Sequence, residues 1–180
     1  MQGITLIPIN SSSADLEITE FLALSLSEIF HTQCNIQPET LALHHYLSND
    51  RQQYHSTKIL AELLPFAKGH HNLILGIVDV DIFTPIFTYV FGEAQLGRQC
   101  ALISVFRLRQ QFYGLPEDKT LFFQRCEKEA VHELGHTLGL IHCPNFECVM
   151  HYGRTIDDID LKRNIFCPDC AGLKGLKTPW

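Results

Sequence analysis

The 180-residue sequence has no long apolar run and no excess of basic residues, and both absences exclude classes of protein. The formal net charge is −6 and no basic patch dominates, which argues against binding to nucleic acid or to an anionic membrane surface. No segment is apolar over the length of a bilayer, and the first residues lack the basic and apolar regions of a signal peptide. We therefore expect neither a nucleic-acid partner nor a membrane partner.

Internal repeats, low-complexity tracts and unusual composition are also missing. Hydrophobic residues make up 46% of the chain and charged residues 19%, which is ordinary for a globular protein and excludes an intrinsically disordered one. The length suits one domain that buries its own core. We predict a single domain over residues 1–180.

Against this ordinary background, one segment is dense in metal ligands. From His132 to Cys143 the sequence reads H-E-x-x-H-x-x-G-x-x-H-C. On a helix, residues four apart lie on one face, so His132 and His136 can bind the same ion. Gly139 can adopt a backbone conformation that ends the helix and turns the chain, which would return His142 to that ion as a third ligand.

The predicted three-histidine site has the character of a catalytic site. Three protein ligands leave one coordination position of zinc open for water, whereas structural zinc sites are closed. Glu133 follows the first histidine, so its carboxylate flanks the ion without having to ligate it, and we predict that it is the catalytic base. Two histidines at this spacing occur by chance, but the glycine and the third histidine in register make a chance match rare.

Four cysteines predict a second metal site. They form the pattern C-x4-C…C-P-D-C and are Cys143, Cys148, Cys167 and Cys170. The Cys-x-x-Cys pair suits tetrahedral thiolate coordination, and four cysteines leave no open position, as in a structural zinc site. Two disulfide bonds or plain core cysteines are the alternatives. Because nothing in the sequence indicates an oxidising compartment, we predict a thiolate zinc site in a cytoplasmic protein.

The remaining cysteines, histidines and acidic pairs have no partners at ligand spacing. Cys34, Cys100 and Cys126 are expected to be small buried residues, and His44, His45, His55, His70 and His71 to lie in loops or on helix surfaces. Asp79 and Asp81 project to the same side of a predicted strand, where they could bind a metal. We favour a role in fixing the loop that follows.

The local pattern predicts strands and helices in the order βαβαβββα, which indicates an α/β domain with a mixed sheet. Strands are expected at residues 3–9, 35–43, 73–80, 87–91 and 101–108, and helices at 14–31, 48–64 and 121–138. The strand at 73–80 is apolar on both faces and is expected at the centre of the sheet. Ser13 and Thr120 are expected to cap the first and last helices, and Gly69-His70-His71 to form a turn.

The run from His132 to Cys170 resembles the archaemetzincins, a branch of the metzincin zinc peptidases. Their pattern is H-E-x-x-H-x-x-G-x-x-H-C-x4-C-x-Met, followed by a spacer and C-x-x-C. Here Cys148-Val149-Met150 fits, and Met150 matches the methionine of the Met-turn beneath the metal. The spacer at residues 151–166 is slightly shorter than in the family. Residues 79–81 and 90–94 also look similar to the family.

The resemblance implies a metzincin-like α/β fold, with a mixed twisted sheet, an active-site helix and a small C-terminal subdomain held by the cysteine-bound zinc. Residues 1–139 would form the N-terminal subdomain, including the active-site helix, and residues 140–180 the C-terminal one. Metzincins place an antiparallel edge strand above the cleft. We assign that role to residues 87–91, with an extension into Gly92-Glu93-Ala94.

The resemblance also implies a zinc-dependent peptidase that acts on peptide or protein substrates, with aminopeptidase-like action on short peptides. Two Zn²⁺ ions per chain are expected, one catalytic and one structural. The alternative is a catalytically weak, zinc-stabilised protein that binds peptides or regulates on the same scaffold. Glu133 argues against it, because a structural site has no use for a base. A zinc-ribbon interaction module is a third, less favoured interpretation.

Tyr152 has two open interpretations. The string Met150-His151-Tyr152-Gly153 resembles the Met-turn of the astacins, in which the tyrosine reaches the zinc. The Tyr152 hydroxyl could therefore donate to the oxyanion of the reaction. The archaemetzincin pattern does not require a tyrosine here, and a half-buried ring packed on the cysteine-rich segment is the alternative. Tyr152 is therefore not counted among the predicted catalytic residues.

Overall fold

The computed structural model describes residues 3–10, 12–68, 71–176 and 178. The strands are β1 (Ile4–Pro8), β2 (Cys34–Ile36), β3 (Leu47–Ser48), β4 (Gln53–His55), β5 (Leu73–Val78), β6 (Ile82–Phe83), β7 (Gly92–Ala94) and β8 (Cys100–Ser104). The helices are α1 (Ser13–Phe30), α2 (Ser56–Glu62), α3 (Leu64–Ala67), α4 (Lys119–Thr137), α5 (Ile156–Leu161) and α6 (Pro168–Lys174). Short 3₁₀ turns occupy Leu43–Tyr46, Phe106–Leu108 and Gln110–Tyr113.

A five-stranded sheet of order β2-β1-β5-β8-β7 forms the centre of the fold. The first four strands are mutually parallel, and β7 pairs antiparallel with β8 at one edge. The mixed α/β architecture predicted from the sequence is therefore confirmed. A smaller sheet of order β3-β4-β6 lies beside the main one.

The apolar run of β5 is explained by a core on each face of the sheet. Leu75 and Ile77 pack in the larger core, to which α1 and α4 contribute, and Ile74 and Val78 pack in the smaller core with α2. All six β5 residues are buried, as expected for a central parallel strand. Helix α4 therefore packs on the face of the sheet that the larger core covers.

Helix α4 is the predicted active-site helix, although its cap differs from the prediction. The side chain of Asp118 accepts a 2.9 Å hydrogen bond from the backbone N–H of Leu121, so Asp118 is the cap and Thr120 lies inside the first turn. Helix α1 likewise begins at Ser13, so that residue is inside the helix. Both errors are shifts of one or two residues, which leave the helical faces as predicted.

The predicted helix at residues 48–64 is wrong in its first half. The structure has a hairpin of β3 and β4 there, followed by α2 and α3. The backbone N–H of Gln52 donates to Ser48 O over 2.8 Å, but Gln52 adopts φ 55°, a left-handed conformation that a right-handed helix does not contain. The second half of the predicted segment is helical, and Ile59 and Leu60 are buried residues of α2.

The edge strand also lies later than predicted. Residues 87–91 form irregular chain, and the antiparallel edge strand is β7, at Gly92–Ala94, where only an extension was expected. The aromatic residues that suggested a strand make side-chain contacts instead. Tyr89 packs edge-on against Phe91 and donates a 2.8 Å hydrogen bond to Arg154 O. β-Propensity here reflects aromatic packing, not strand pairing.

Other differences are smaller. The strand expected at residues 35–43 ends at Ile36, before Pro38. The turn expected at Gly69-His70-His71 falls largely outside the described residues, because positions 69 and 70 are not among them. Helices α5 and α6 were not predicted, although α5 has a capping box of Thr155 and Asp158 and α6 begins with a proline. Within the described parts of the chain, no helix is long and apolar enough to cross a membrane.

Candidate metal centre and cleft

The three motif histidines meet near the C-terminal end of α4. The Nε2 atoms of His132 and His136 are 3.1 Å apart, and one ring nitrogen from each of the three histidines lies within 4.8 Å of the others. Gly139 adopts φ 83°, and its N–H donates to His136 O over 2.8 Å, which ends the helix. This left-handed turn is what brings His142 back beside the helix.

Backbone carbonyls orient two of the rings. His132 donates from Nδ1 to Val149 O over 2.7 Å, and His136 donates from Nδ1 to Leu140 O over 2.7 Å. With its proton on Nδ1, each ring presents an unprotonated Nε2 toward the shared point. Burial lowers the pKa of all three histidines, most strongly that of His132, so the rings stay neutral. Neutral imidazoles are the form that binds zinc, so the donor set fits that ion.

Met150 supports this arrangement from below. It is fully buried, and it follows Val149, whose carbonyl holds His132. A Cβ atom added to Gly135 would lie 2.3 Å from the Met150 sulfur, so the helix can pass over the methionine only because Gly135 has no side chain. The sequence interpretation used Met150 but overlooked Gly135, one of the variable positions of the motif.

Glu133 is buried between α4 and the edge strand. Its side chain is 5% exposed and reaches β7, where a Cβ atom on Gly92 would lie 2.6 Å from Glu133 Oε1. Before any metal charge is counted, burial raises the pKa of Glu133 well above its usual value. Glu129 adds to that rise and the positive charge of Lys162 opposes it. A carboxyl group with a raised pKa exchanges protons more readily near neutral pH.

We expect Gly92→Ala to lower kcat/KM on a peptide substrate by about 10²-fold, because the new methyl group must displace the Glu133 carboxylate by an ångström or more. The metal content and the fold should persist. The matched control is Gly172→Ala, since a Cβ atom at Gly172 meets nothing within 4 Å. Equal kcat/KM for the two variants would show that Glu133 does not depend on the space at Gly92.

A cavity of about 590 Å³ opens in front of the histidines. Residues of α4 form its floor, β7 forms one wall, and the segment after Met150 forms the other. Its rim is mostly apolar and includes Phe87, Leu96, Ile141 and Tyr152. The volume suits a small ligand or a short stretch of peptide.

The four predicted cysteine ligands also come together. Their sulfur atoms lie within 4.8 Å of one another, and Cys143 Sγ and Cys167 Sγ are 3.8 Å apart. Cys167 caps α6 and Cys170 lies in its first turn, which places both sulfur atoms on one side. In the described part of the chain, no cysteine forms a disulfide bond. The cluster fits a closed tetrahedral thiolate site.

The ionisation of the thiols also favours a bound cation. Burial raises the pKa of Cys148 to about 11, and it raises the pKa of Cys170 further. Burial opposes ionisation of Cys167 too, but hydrogen bonds from the Cys170 backbone N–H and from neighbouring thiols lower its pKa. Four thiolates in so small a buried volume repel one another, so a divalent cation is needed to hold all of them ionised.

The remaining candidates do not gather into sites. Among the described residues, the two groups above are those in which three or more ligand atoms converge. Asp81 forms a bidentate ion pair with Arg107, at 2.6 and 2.7 Å, and Asp79 pairs with Arg109 at 2.6 Å. The two aspartates therefore link the end of β5 to the segment after β8, as expected for a role in fixing a loop. Cys100 and Cys126 are buried and Cys34 is half-buried.

Known proteins share both the sequence and the fold. Residues 17–175 match the model of peptidase family M54. An archaemetzincin from Methanocaldococcus jannaschii is 43% identical over 154 residues, which cover 86% of this chain and 83% of that protein. The solved structure of archaemetzincin from Archaeoglobus fulgidus, complexed with malonate, has a TM-score of 0.80 at 36% identity, and the match covers 95% of this chain and 99% of that one. A zinc-dependent peptidase from Methanocorpusculum labreanum has a TM-score of 0.85 at 28% identity, over 94% and 98% of the two chains.

Proposed function

The chain belongs to peptidase family M54, the archaemetzincins, and is a zinc metallopeptidase, and from that premise we propose which of its residues carry out the reaction. His132, His136 and His142 hold the catalytic metal, and Glu133 is the general base. The observation that carries this proposal is the buried Glu133 carboxyl beside three converging, neutral imidazoles.

The reaction divides between the metal and Glu133. A zinc ion held by the three histidines would supply a water of lowered pKa and would polarise the scissile carbonyl. Glu133 removes a proton from the attacking water and delivers it to the nitrogen of the leaving amine. Burial between α4 and β7 holds the carboxyl in place for both transfers.

Strand β7 is positioned to align the substrate. It is the outermost strand of the main sheet, so the edge that does not face β8 carries backbone groups with which an extended peptide can pair. The same strand contacts Glu133 through Gly92. A peptide added to β7 would therefore cross the cleft in front of the histidines with its backbone beside the general base.

We further propose two Zn²⁺ ions per chain. The second is structural, is bound by Cys143, Cys148, Cys167 and Cys170, and holds the C-terminal subdomain of residues 140–180 to the end of α4. The adjacency of His142 and Cys143 supports this assignment, because the same short segment then carries a ligand to each ion. Met150 is the Met-turn residue.

Two finer assignments complete the proposal. Aminopeptidase-like action on short peptides is supported by the family resemblance and by the modest size of the cleft. Cytoplasmic location is supported by the cysteine cluster, because thiolate ligands survive best in a reducing compartment.

The test is a panel of short fluorogenic peptides, each with a free and with an acetylated N-terminus. We expect hydrolysis that a chelator abolishes and added zinc restores, with faster cleavage of the free N-terminus. If acetylated peptides are cleaved equally fast, the aminopeptidase assignment is wrong. If metal-loaded protein cleaves no peptide of a broad panel, the alternative of a weakly catalytic peptide-binding protein is favoured.

Tyr152→Phe tests a role for the tyrosine hydroxyl. The ring centroids of Tyr152 and His142 are 4.8 Å apart, and Tyr152 is 38% exposed on the cleft. This position favours the interpretation in which the Tyr152 hydroxyl donates to the oxyanion over the one in which the ring packs on the cysteine-rich segment. We therefore expect turnover to fall about 10²–10³-fold with an unchanged Tm. Tyr46→Phe, at a hydroxyl that bonds Glu62 instead, is the control. Unchanged turnover in Tyr152→Phe would end the catalytic interpretation.

A further inference from the structure

The cleft extends beyond the catalytic centre to a buried ion pair that the proposed mechanism does not use. Lys162 Nζ donates to Glu129 Oε1 over 2.9 Å, and the two side chains are 1% and 6% exposed. Both residues line the same cavity as Glu133 and the histidines. Glu129 lies one helical turn before Glu133 on α4, on the side away from His136.

Stability alone is a poor explanation for this pair. Burying two charges costs several kcal/mol per ion, and their mutual attraction often fails to recover that cost. Two apolar residues at the base of the cavity would therefore stabilise the fold at least as well. A lysine ammonium has three N–H donors. Among the described residues, Glu129 Oε1 is the acceptor that Lys162 Nζ meets. Two donors therefore remain for a group that enters the cavity.

A second cation lies at the same end of the cleft. Arg154 lines the cavity, and its backbone is held on both sides of its Cα atom. Its N–H donates to Asp158 over 2.9 Å, and its carbonyl accepts from Tyr89 over 2.8 Å. Gly153, beside it, places no side chain next to Lys162, where a Cβ atom would stand 3.9 Å from the ammonium. The cavity is also lined by Glu93, Glu129 and Glu133, and Lys162 and Arg154 are the lysine and arginine among its described lining residues. An anionic group of a ligand therefore finds its cationic partners at this end of the cleft.

The chemistry of the reaction assigns this end to one side of the substrate. Glu133 delivers its proton to the leaving nitrogen, so the residue that follows the scissile bond lies on the Glu133 side of the metal. Glu129 lies one turn further along α4 in that direction, and Lys162, which follows α5, is bonded to it there. The opposite end, near His136, Leu96 and Ile141, is apolar and receives the preceding residue.

We propose that Lys162 and Arg154 bind a carboxylate of the substrate residue that follows the scissile bond, an inference that rests on the proposed peptidase function. Two sources offer this group: an aspartate or glutamate side chain, and the C-terminal carboxylate of a peptide that ends one residue after the bond. In both cases the carboxylate accepts hydrogen bonds from Lys162, which stays paired with Glu129, while Arg154 adds a second contact from the rim.

The experiment begins by locating the cleaved bond. Mass spectrometry of products from the wild-type protein identifies a cleaved peptide and its scissile bond. Variants of that peptide then carry Glu, Gln or Lys after the bond, each with an amidated C-terminus, and a truncated form ends at this residue with a free carboxylate. Dissociation constants are measured with zinc-loaded Glu133→Gln protein, so that binding is read without hydrolysis.

We expect the Glu peptide, or the truncated peptide with its free carboxylate, to bind about 10–100-fold more tightly than the amidated Gln peptide. A tighter Glu peptide identifies a side-chain carboxylate, and a tighter truncated peptide identifies a terminal one. Equal affinity of all the peptides, or tightest binding of the Lys peptide, would overturn the inference. Absence of cleavage by the wild-type protein would instead count against the proposed function.

Two variants test the residues themselves. Arg154→Gln changes an exposed side chain, and Lys162→Met with Glu129→Met removes the buried pair without leaving either charge unpaired. We expect the preference for the carboxylate to shrink in the first and to disappear in the second, with zinc content unchanged. Arg98→Gln, at an exposed arginine outside the cleft, is the control. A full preference in both variants would show that other residues bind the carboxylate.

Discussion

Glu133→Gln is expected to lower turnover about 10²–10⁴-fold while the fold and the metal sites persist. Glutamine has the shape of glutamate and fits the same space against Gly92, but its amide cannot accept the proton of the attacking water. Because the carboxyl is buried and its pKa is raised, the neutral replacement should not lower Tm. The measurement is kcat on a peptide that the wild-type protein cleaves, together with Tm and metal content.

The control for this change is Glu117→Gln, at an exposed glutamate just before α4. It alters the net charge by the same amount and should leave turnover unchanged. If Glu133→Gln protein hydrolyses the peptide at the parental rate, Glu133 is not the general base and another group must accept the proton. A simultaneous loss of zinc would point instead to a defect in the histidine site.

The parts of the site that could be predicted from the sequence depend on short spacings along the chain. His132 and His136 share a helical face because they are four residues apart, and Gly139 ends that helix because it lacks a side chain. These relations hold wherever the helix lies in the fold. The continuous apolar run of β5 similarly predicted its central place, because such a strand must be covered on both faces.

The parts that could not be predicted depend on contacts between distant segments. The requirement for glycine at positions 92 and 135 was not predicted, because the atoms that impose it, on Glu133 and Met150, arrive from other elements. Nothing in the sequence around Lys162 distinguishes it from a surface lysine. Its burial beside Glu129 depends on the packing of α4 against the segment that follows α5. The displaced edge strand has the same origin, since aromatic contacts override the local β-propensity of residues 87–91.

Loss of the cysteine-bound metal is expected to have the largest effect on stability. The cluster joins the segment after His142 to the start of α6, and the Cys143 N–H also bonds Met150 O over 2.9 Å. Binding of a structural zinc by a small domain is worth about 10–16 kcal/mol. We therefore expect Cys148→Ser to destabilise the fold by more than about 4 kcal/mol, which for a chain of this length lowers Tm by roughly 10 °C or more.

Metal analysis makes this last prediction specific. Wild-type protein purified without added metal should contain two zinc ions per chain, and Cys148→Ser should contain one or fewer. Cys34→Ser, at a half-buried cysteine outside the cluster, should keep both and serves as the control.

In the wild-type protein a chelator should empty the histidine site first, because that site has an open position and no anionic ligand, whereas four thiolates enclose the other. Activity should therefore disappear before Tm falls, and zinc should restore it. A reproducible value of one zinc per chain, with free thiols at all four cysteines of the cluster, would show that the thiolates bind no metal and that packing alone holds residues 140–180.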